Sequence, residues 1–351
     1  MSKVAVGVLG VGEMGRRHAY NLRRCVPEAQ LVAVADADHA RARKVAAEFE
    51  VPCAFGSLEA MLEDGKIQAV LIAAPDKFHA HCIRLAAAAG KDILCEKPLA
   101  LSLDDGISAL HAVAANGVRL QIGFMRRYDP AYAAAMERVE AGEIGEPVIF
   151  KSVGRDKDVP PLAAYQSGVN GMLFYNNTIH DFDLARWLMR DEVAEVQAYT
   201  TVSIRPEVAQ YGDVVAGVVN LKYRNGGIGN IESYAQAVYA YDVRTELVGS
   251  KGAIFIGSLG QTPAVFLSAN GGTRPLADHF LSRFADAYVL EVRDFVQTIA
   301  AQRELRVTGE DGLRALEIAV AAEQSHQQKR AVRVEKQVVE RAAEVARTGQ
   351  V

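Results

Sequence analysis

The chain has 351 residues, of which 50% are hydrophobic and 23% are charged, and its formal net charge is −4. This length is typical of about two domains with ordinary buried cores. The composition and the four cysteines exclude a disordered chain, a collagen-like fibre and a disulfide-stapled scaffold. The near-neutral balance argues against nucleic acid or an anionic membrane surface as a partner. No apolar run approaches the roughly 18–20 residues of a membrane span, so we expect no membrane-spanning segment.

The cysteines and the first residues bear on location. All four cysteines lie within the first 95 residues, and no pair has the spacing of a metal or redox motif. The N-terminus lacks a charged segment followed by an apolar one with a cleavage site, and it starts as a strand does. We therefore expect reduced thiols and a cytoplasmic protein.

Short β-branched runs alternate with alanine-rich helical stretches from residue 3 to about residue 124. The apolar runs cover residues 4–9, 31–35, 69–73, 93–95 and 119–122. The helical patterns lie near residues 15–25, 39–48, 58–63, 79–89 and 103–116. Runs that are apolar throughout are typical of strands covered on both faces, with helices as crossovers. This order predicts an α/β fold, an N-terminal Rossmann domain with a doubly wound parallel sheet, over residues 1–123.

The pattern changes after about residue 123. Helical patterns lie at residues 132–140, 178–189, 287–302 and 309–329, and a Pro- and Gly-rich loop lies at 158–171. Strands are predicted at residues 148–153, 193–203, 214–223, 229–233, 242–249 and 253–256. The turn Asn225-Gly226-Gly227 is a hairpin signal. We expect a C-terminal α+β domain with an open, mainly antiparallel sheet over residues 124–340, and a polar tail over 341–351.

A glycine fingerprint follows the first predicted strand. Gly10, Gly12 and Gly15 form G-x-G-x-x-G between that strand and a helix. Gly10 allows a tight turn, Gly12 lets the backbone approach a pyrophosphate, and Gly15 lets the helix pack on the strand. Asp36 ends the second apolar run about 20 residues later, where an acid binds the ribose diol and repels a 2′-phosphate. The motif predicts NAD as the cofactor; the alternative is a strand–helix turn that binds no ligand.

Two further motifs carry groups suited to catalysis. Lys97 follows a predicted strand in Cys95-Glu96-Lys97-Pro98, and an ammonium there can stabilise alkoxide character on a substrate oxygen. His180 lies four residues after Asn176, so the two share a helix face if the helix has already begun there. A histidine on that face suits a general base for an alcohol proton. The alternatives are a surface lysine and a histidine that satisfies a helix start.

Together these motifs resemble the Gfo/Idh/MocA oxidoreductases over essentially the whole chain. The shared features are the glycine fingerprint, Glu96-Lys97-Pro98, and His180-Asp181-x-Asp183 followed by Arg186-Trp187. Residues 123–130, 239–242 with 248–252, and 283–288 are similar to the inositol 2-dehydrogenase branch. Sugar and anhydrosugar dehydrogenases share parts of these stretches.

The resemblance implies a zinc-independent transfer of hydride between a polyol carbon and C4 of the nicotinamide. The family's lysine falls on Lys97 and its histidine on His180. Its usual acid, four residues before the histidine, falls on Asn176. An amide cannot hold a negative charge at neutral pH, so it cannot increase the basicity of His180, although it can hydrogen-bond a vicinal hydroxyl pair.

Further site residues are predicted on segments that face the cofactor or the substrate. Besides the glycines and Asp36, the predicted cofactor set is Glu13, Met14, Ala74, Pro75, His79, Glu96 and Lys97. The predicted substrate set is Arg127, Arg155, Asp156, Asn176, His180, Tyr239 and Tyr241. Sheet packing is the alternative for each tyrosine. No metal is expected, because the triplet His79-x-His81-Cys82 lacks a remote fourth ligand.

The sequence thus predicts an NAD-dependent dehydrogenase that oxidises a secondary hydroxyl of a cyclic polyol or sugar, most like the inositol 2-dehydrogenases. In this interpretation His180 takes the proton, Lys97 polarises the oxygen and Asn176 positions the ring. The alternatives are a hexose, glycoside or anhydrosugar dehydrogenase, an NAD-dependent glycoside hydrolase and a non-catalytic redox sensor. Because an open sheet leaves one face uncovered, we also expect a homo-oligomer, either a dimer or a tetramer.

Overall fold

The computed structural model describes residues 3–157, 161–167, 173–257, 266–268, 271–273 and 276–337. The described chain forms two compact units that are discontinuous in sequence. Residues 3–125, 288–316 and 336–337 belong to the first unit, and the other described residues belong to the second. The predicted domain limits at residues 123 and 340 stay predictions. The predicted tail at 341–351 lies outside the described residues.

A six-stranded parallel sheet forms the centre of the first unit. Its strands are β1 (Val4–Leu9), β2 (Ala29–Ala35), β3 (Cys53–Phe55), β4 (Ala69–Ile72), β5 (Asp92–Cys95) and β6 (Leu120–Ile122). Their order is β3-β2-β1-β4-β5-β6, which confirms the doubly wound sheet. The succession reverses between β1 and β4, and open α/β sheets bind ligands beside the strand carboxyl ends at such a reversal. The sequence pattern missed β3, because three residues are too few for a periodic signal.

Helices connect these strands. They are α1 (Glu13–Tyr20), α2 (His39–Phe49), α3 (Leu58–Leu62), α4 (His79–Ala88) and α5 (Leu103–Asn116), and a π-helical turn, Asn21–Cys25, follows α1. Side chains of Asp38, Ser57 and Ser102 cap the starts of α2, α3 and α5. Among the described residues, α1 has no such side-chain cap at Gly12. The start of a helix of this kind suits an anion.

A seven-stranded mixed sheet forms the centre of the second unit. Its strands are β7 (Pro147–Arg155), β8 (Val193–Thr201), β9 (Ala216–Tyr223), β10 (Ile228–Tyr234), β11 (Asp242–Gly249), β12 (Ala253–Ile256) and β15 (Val332–Arg333); β13 (Phe266–Ser268) and β14 (Gly271–Thr273) form a separate hairpin. The order is β12-β11-β7-β10-β9-β8-β15, and only β7 with β10 is parallel among these described pairs. This confirms the mainly antiparallel sheet. The predicted turn joins β9 to β10, with Gly226 at a φ of +94°.

The remaining helices complete the chain. They are α6 (Pro130–Glu140), α7 (Leu162–Ser167), α8 (Ile179–Met189), α9 (Phe280–Arg283), α10 (Ala285–Ala301) and α11 (Gly309–Gln328). Within the predicted loop at 158–171, α7 is helical, whereas 158–160 and 168–171 lie outside the described residues. Every helix within the described ranges is too short or too polar to span a bilayer.

Candidate active site

The glycine fingerprint forms the turn between β1 and α1. Gly10 has a φ of +79°, and a Cβ there would lie 2.5 Å from the carbonyl oxygen of Ala73. A Cβ on Gly15 would lie 1.7 Å from the carbonyl oxygen of Gly10, so only glycine allows this close approach. A Cβ on Gly12 would meet no described atom within 4 Å. Gly12 therefore borders open space at the start of α1, which fits the approach of a pyrophosphate.

Asp36 lies beside this turn at the end of β2 and is only 6% exposed. Its Oδ2 accepts a hydrogen bond from the backbone N–H of Val11 at 2.9 Å, and its Oδ1 accepts one from that of Asp38 at 2.8 Å. A guanidinium nitrogen of Arg41 lies 3.3 Å from Oδ2. A carboxylate has about four acceptor sites, so Asp36 can also accept from a ribose diol. The residues present thus fit NAD.

The loop after β4 carries Ala74 and Pro75 and leads into α4. His79 begins α4 and is fully buried. Its Nδ1 lies 2.7 Å from the carbonyl oxygen of Pro98, and its Nε2 lies 2.8 Å from that of Ala74. The ring therefore connects the loop after β4 with the loop after β5. Contact of His79 with the cofactor stays a prediction, and the observed contacts indicate that it positions both loops.

The loop after β5 carries Glu96 and Lys97. The buried Glu96 carboxylate accepts a hydrogen bond from Nε2 of His18 at 2.8 Å. Burial acts to raise the pKa of Glu96, but the His18 hydrogen bond and the electrostatic influence of His18, Lys97 and His79 outweigh burial and lower that pKa. Lys97 is half-buried, and its peptide bond to Pro98 is cis. Lys97 thus follows a buried carboxylate at the strand end.

In the second unit, a π-helical turn, Leu173–Asn177, precedes α8. The backbone N–H of Thr178 donates to the carbonyl oxygen of Leu173 at 2.9 Å, which closes this wide turn. Asn176 is half-buried on the turn, and His180 is buried in the first turn of α8. The α-helix therefore begins after Asn176. Such π-helical turns are frequent at functional sites.

Buried ion pairs fix the start of α8 next to His180. Nη1 of Arg126 donates to Asp181 Oδ1 at 2.8 Å, and the hydroxyl of Ser152 donates to the same oxygen at 2.5 Å. Arg127 binds both carboxylate oxygens of Asp183, at 2.8 and 2.5 Å. Arg127, a predicted substrate residue, thus lies in a bidentate ion pair. The pairs restrain the helix turn that carries His180.

Other predicted substrate residues lie in two hydrogen-bonded groups. Nη1 of Arg155 donates to the hydroxyl of Tyr239 at 2.7 Å, and that hydroxyl donates to Asp242 at 2.7 Å. Asp156 accepts a hydrogen bond from the side chain of Asn177, next to Asn176. The structure brings Arg155 and Tyr239 together around Asp242, and it brings Asp156 to the π-helical turn.

Tyr241 is buried and hydrogen-bonds Arg126. Burial raises the pKa of Tyr241 above its usual range, so the phenol stays neutral at physiological pH. Its ring also packs edge-on against Phe284. These contacts are those of a packed network residue, and contact with substrate stays a prediction.

Glu13 and Met14 are the first residues of α1, where Glu13 is exposed and Met14 is half-buried. Their contact with the cofactor stays a prediction. No group of three His, Cys, Asp or Glu side chains suited to a metal ion occurs in the part of the chain that the structure describes.

Among the buried ionisable residues of the first unit that sequence reasoning missed are His18 and Glu291. His18 reaches Glu96 from α1, three residues after Gly15. Glu291 is a charged residue in the apolar pattern of α10, close in sequence to Val292 and Phe295. A charged residue within a buried helix face was the available signal for Glu291. The partner of His18 lies 78 positions away, which no local pattern shows.

Comparison with known proteins agrees with this geometry. Residues 4–124 match the NAD-binding Rossmann fold of an oxidoreductase family, and residues 136–334 match its C-terminal α/β domain. The chain is 38% identical to scyllo-inositol 2-dehydrogenase (NAD(+)) of Bacillus subtilis, with 92% of this chain and 94% of the relative covered. It is 36% identical to myo-inositol 2-dehydrogenase of Thermotoga maritima, with 94% and 98% covered.

A solved structure is also similar. The crystal structure of scyllo-inositol dehydrogenase from Lactobacillus casei with bound NAD(H) and scyllo-inositol superposes with a TM-score of 0.88 at 28% identity, covering 95% of this chain and 99% of that one. The parallel sheet, the glycine turn and Asp36 define an NAD-binding oxidoreductase. The chain belongs to the Gfo/Idh/MocA oxidoreductase family, which confirms the resemblance seen in the motifs.

Proposed function

We propose that this protein is an NAD-dependent dehydrogenase that oxidises a secondary hydroxyl of a cyclic polyol, with inositols as the preferred class. The observation that carries the proposal is the similarity over more than nine-tenths of the chain to dehydrogenases named for scyllo- and myo-inositol. Asp36 supports NAD over NADP, because its carboxylate suits a ribose diol and repels a 2′-phosphate. Hexose, glycoside and anhydrosugar dehydrogenases are the related alternatives.

The cofactor is held by the first unit. Backbone groups at Gly10 and Gly12 and the start of α1 bind the pyrophosphate, and Asp36 binds the ribose. Glu13, Met14, Ala74 and Pro75 border it. When bound, NAD⁺ accepts the hydride from the carbinol carbon.

Side chains of the protein accept the hydroxyl proton and stabilise the oxygen that loses it. His180 takes the hydroxyl proton as a general base, and the ammonium of Lys97 donates a hydrogen bond to the same oxygen as negative charge develops there. Asn176 orients the ring by hydrogen-bonding neighbouring hydroxyls. The ion pairs of Asp181 and Asp183 support this assignment, because they restrain the turn that carries His180 and orientation is a large part of catalysis.

The remaining polar residues serve a ring with many hydroxyls. Asp156 is held by Asn177, and Tyr239 by Arg155, so both present preoriented polar atoms on the second unit. We assign substrate contact to Asp156 and Tyr239 first. Arg127 and Tyr241 contribute through the buried networks that hold them.

The test is an NAD reduction screen over inositol isomers, hexoses and anhydrosugars with the wild type and His180→Ala. We expect net NADH from inositols, and a loss of roughly 10²–10⁴-fold in kcat/KM for His180→Ala, the usual contribution of a general base. NAD affinity, measured by fluorescence titration, serves as the control and stays unchanged. With a glycoside added to the panel, sugar release without net NADH would instead indicate a glycoside hydrolase, and the lack of any turnover would favour a redox sensor.

A double-variant cycle tests whether Lys97 and His180 act on one oxygen. If they do, Lys97→Ala and His180→Ala are strongly non-additive, because either loss alone disables the same step. Additive losses in kcat/KM would contradict a shared role.

We further propose a homo-oligomer located in the cytoplasm. Tyr199, Val218 and Ile228 are exposed on one face of the seven-stranded sheet, and Tyr199 lies opposite Val218 across β8 and β9. Such apolar side chains suit a contact with a second copy, in a dimer or a tetramer. All four cysteines are free thiols, and burial raises the pKa of Cys82 to about 11, which suits a reducing compartment.

A further inference from the structure

Glu96 is a buried acid one residue before Lys97. One of its oxygens accepts the hydrogen bond from His18, and a Cβ on Gly123 would lie 3.0 Å from the other. His18 is itself fully buried, with its ring edge-on to Tyr288 at a centroid distance of 5.9 Å. The carboxylate is therefore held between a histidine and a closely packed backbone.

Glu291 is a second buried acid, three residues after Tyr288 in α10. Its side chain is fully buried, and neither carboxyl oxygen has a hydrogen-bond partner among the described residues. Its sequence neighbour Val292 and the nearby Phe295 belong to the apolar core of the first unit. Ionisation in such surroundings carries a large desolvation penalty, so the site favours the protonated acid.

The charge of Glu96 acts on Glu291. Burial raises the pKa of Glu291 well above its usual range, and the negative charge of Glu96 raises that pKa further. The pKa of Glu96 is lowered despite burial, because His18 donates a hydrogen bond to it. The groups that act electrostatically on Glu96 or respond to its charge are His18 from α1, His79 from α4, Glu291 from α10, and Lys97 and Cys95 beside it in the chain. A buried acid that accepts a hydrogen bond and lies next to an ammonium keeps its charge more readily than one without such partners.

Two buried neutral amides, Gln121 and Asn21, also lie in this part of the first unit. Gln121 pairs with Leu94 across β5 and β6, so its side chain lies on the face that Glu96, two residues after Leu94, also uses. Asn21 lies three residues after His18. Both amides are fully buried. Amides offer hydrogen-bonding atoms but no positive charge that would favour an ionised Glu291.

We propose that these two buried acids carry different charges: Glu96, which accepts the hydrogen bond from His18, is the carboxylate, and Glu291, whose carboxyl oxygens have no hydrogen-bond partner among the described residues, holds a proton. Glu96 is then a positioning residue, because its carboxylate attracts the ammonium of the adjacent Lys97. This effect on Lys97 rests on the proposed function. The distribution of charge between the two acids does not.

The test uses two matched isosteric variants, Glu291→Gln and Glu96→Gln, and measures thermal unfolding between about pH 4 and pH 9. A raised folded-state pKa makes the wild type lose stability as pH rises above the unfolded value of about 4.3. Glu291→Gln lacks that loss, so its Tm minus that of the wild type increases with pH. The limiting slope is about tenfold in the folding equilibrium constant per pH unit.

Glu96→Gln gives the opposite pattern. A lowered folded-state pKa stabilises the protein above the unfolded value, and this stability is lost as pH falls through the folded value. The Tm deficit of Glu96→Gln is therefore constant well above the unfolded value of about 4.3 and shrinks as pH falls towards and below it. Glu291→Met, an apolar replacement of similar length, should repeat the rising difference of Glu291→Gln if the glutamine variant does not fold.

Infrared difference spectra at neutral pH identify the charged member directly. We expect Glu291→Gln to remove a protonated-acid C=O band and Glu96→Gln to remove a carboxylate band. A carboxylate band lost in Glu291→Gln, or a Tm difference that does not change with pH, would overturn the proposal. Neither measurement needs turnover, so such a failure would leave the dehydrogenase proposal intact.

Kinetics test the positioning role. Glu96→Gln lowers kcat, and Glu96→Asp restores part of it because the charge returns. Equal losses in the two variants would show that only the shape of the side chain matters.

Discussion

Asp36 is a buried carboxylate whose surroundings bear on the choice between NAD and NADP. Backbone N–H groups of Val11 and Asp38 hold its two oxygens, and Arg41 approaches from the exposed side. The first two contacts place the carboxylate beside the glycine turn. The Arg41 contact places a cation beside Asp36, where the 2′-phosphate of NADP would need one.

We expect Asp36→Ser to weaken NAD use and to improve NADP use. A hydrogen bond to a charged group contributes about 1.5–3 kcal/mol, so kcat/KM for NAD should fall roughly 10–100-fold. The gain with NADP depends on the released Arg41, so Asp36→Ser combined with Arg41→Ala is the control. An unchanged preference for NAD in Asp36→Ser would contradict the role of this carboxylate.

Asn176 is a second position where one side chain is expected to matter, since the resemblance implies an acid at this position and the chain has an amide. A carboxylate there would stabilise protonated His180, which must be neutral to act as a base. We therefore expect Asn176→Asp to move the acidic limb of kcat/KM to higher pH or to change the ranking of polyols. Asn176→Ala, which adds no charge, is the control. Unchanged kcat/KM across a polyol panel and a pH range would exclude a role for position 176.

At the scale of elements, the glycines in the turn between β1 and α1 serve two different purposes: one is needed for folding and the other for cofactor binding. Gly15 is required by packing, because a Cβ would overlap the carbonyl oxygen of Gly10. Gly12 has a φ of −67°, which alanine also adopts, and a Cβ there meets no described atom. Gly15 is therefore required by packing, whereas the lack of a side chain at Gly12 leaves open space at the start of α1.

The variants Gly12→Ala and Gly15→Ala form a matched pair. Gly12→Ala should keep a Tm close to the wild type but bind NAD at least about tenfold more weakly, because its methyl group occupies the space of the pyrophosphate. Gly15→Ala should lose several kcal/mol of stability, since backbone must move to relieve the overlap. Thermal unfolding and NAD titration measure the two effects. Normal NAD binding by Gly12→Ala would contradict the assignment of the pyrophosphate to this turn.

At the scale of the whole molecule, the exposed face of the seven-stranded sheet is the reason to expect a homo-oligomer. Its exposed face carries Tyr199, Val218 and Ile228 among polar neighbours such as Asn220 and Asn230, which hydrogen-bond each other. Apolar side chains among polar ones suit a face that a second copy covers better than a face that stays in contact with water.

We expect Val218→Arg to shift the protein toward smaller species, because an unpaired charge buried at an apolar contact is costly. Light scattering at micromolar concentration measures the change. Glu137→Arg, at an exposed position of α6, changes charge elsewhere and serves as the control. A wild-type monomer under these conditions would contradict the proposed oligomer.

Local signals in the sequence were enough for the main architecture. Mainly apolar runs predicted five of the six parallel strands, because helices cover both faces of such strands. The spacing of Gly10, Gly12 and Gly15, followed by Asp36, predicted the cofactor, because these steric and hydrogen-bonding requirements act within about 30 residues. The boundary of α8 was less clear, because a π-helical turn has no distinct hydrophobic period.

What the sequence by itself determined is therefore the succession of strands and helices, the glycine turn and the family, all of which depend on short-range patterns. Only the tertiary structure decided which ionisable side chains meet. His18 reaches Glu96, and Arg126 reaches Asp181 over 55 positions, through contacts whose partners leave no mark on local periodicity. Burial then sets the charge of each group, because desolvation depends on everything packed around it and not on its neighbours in the chain.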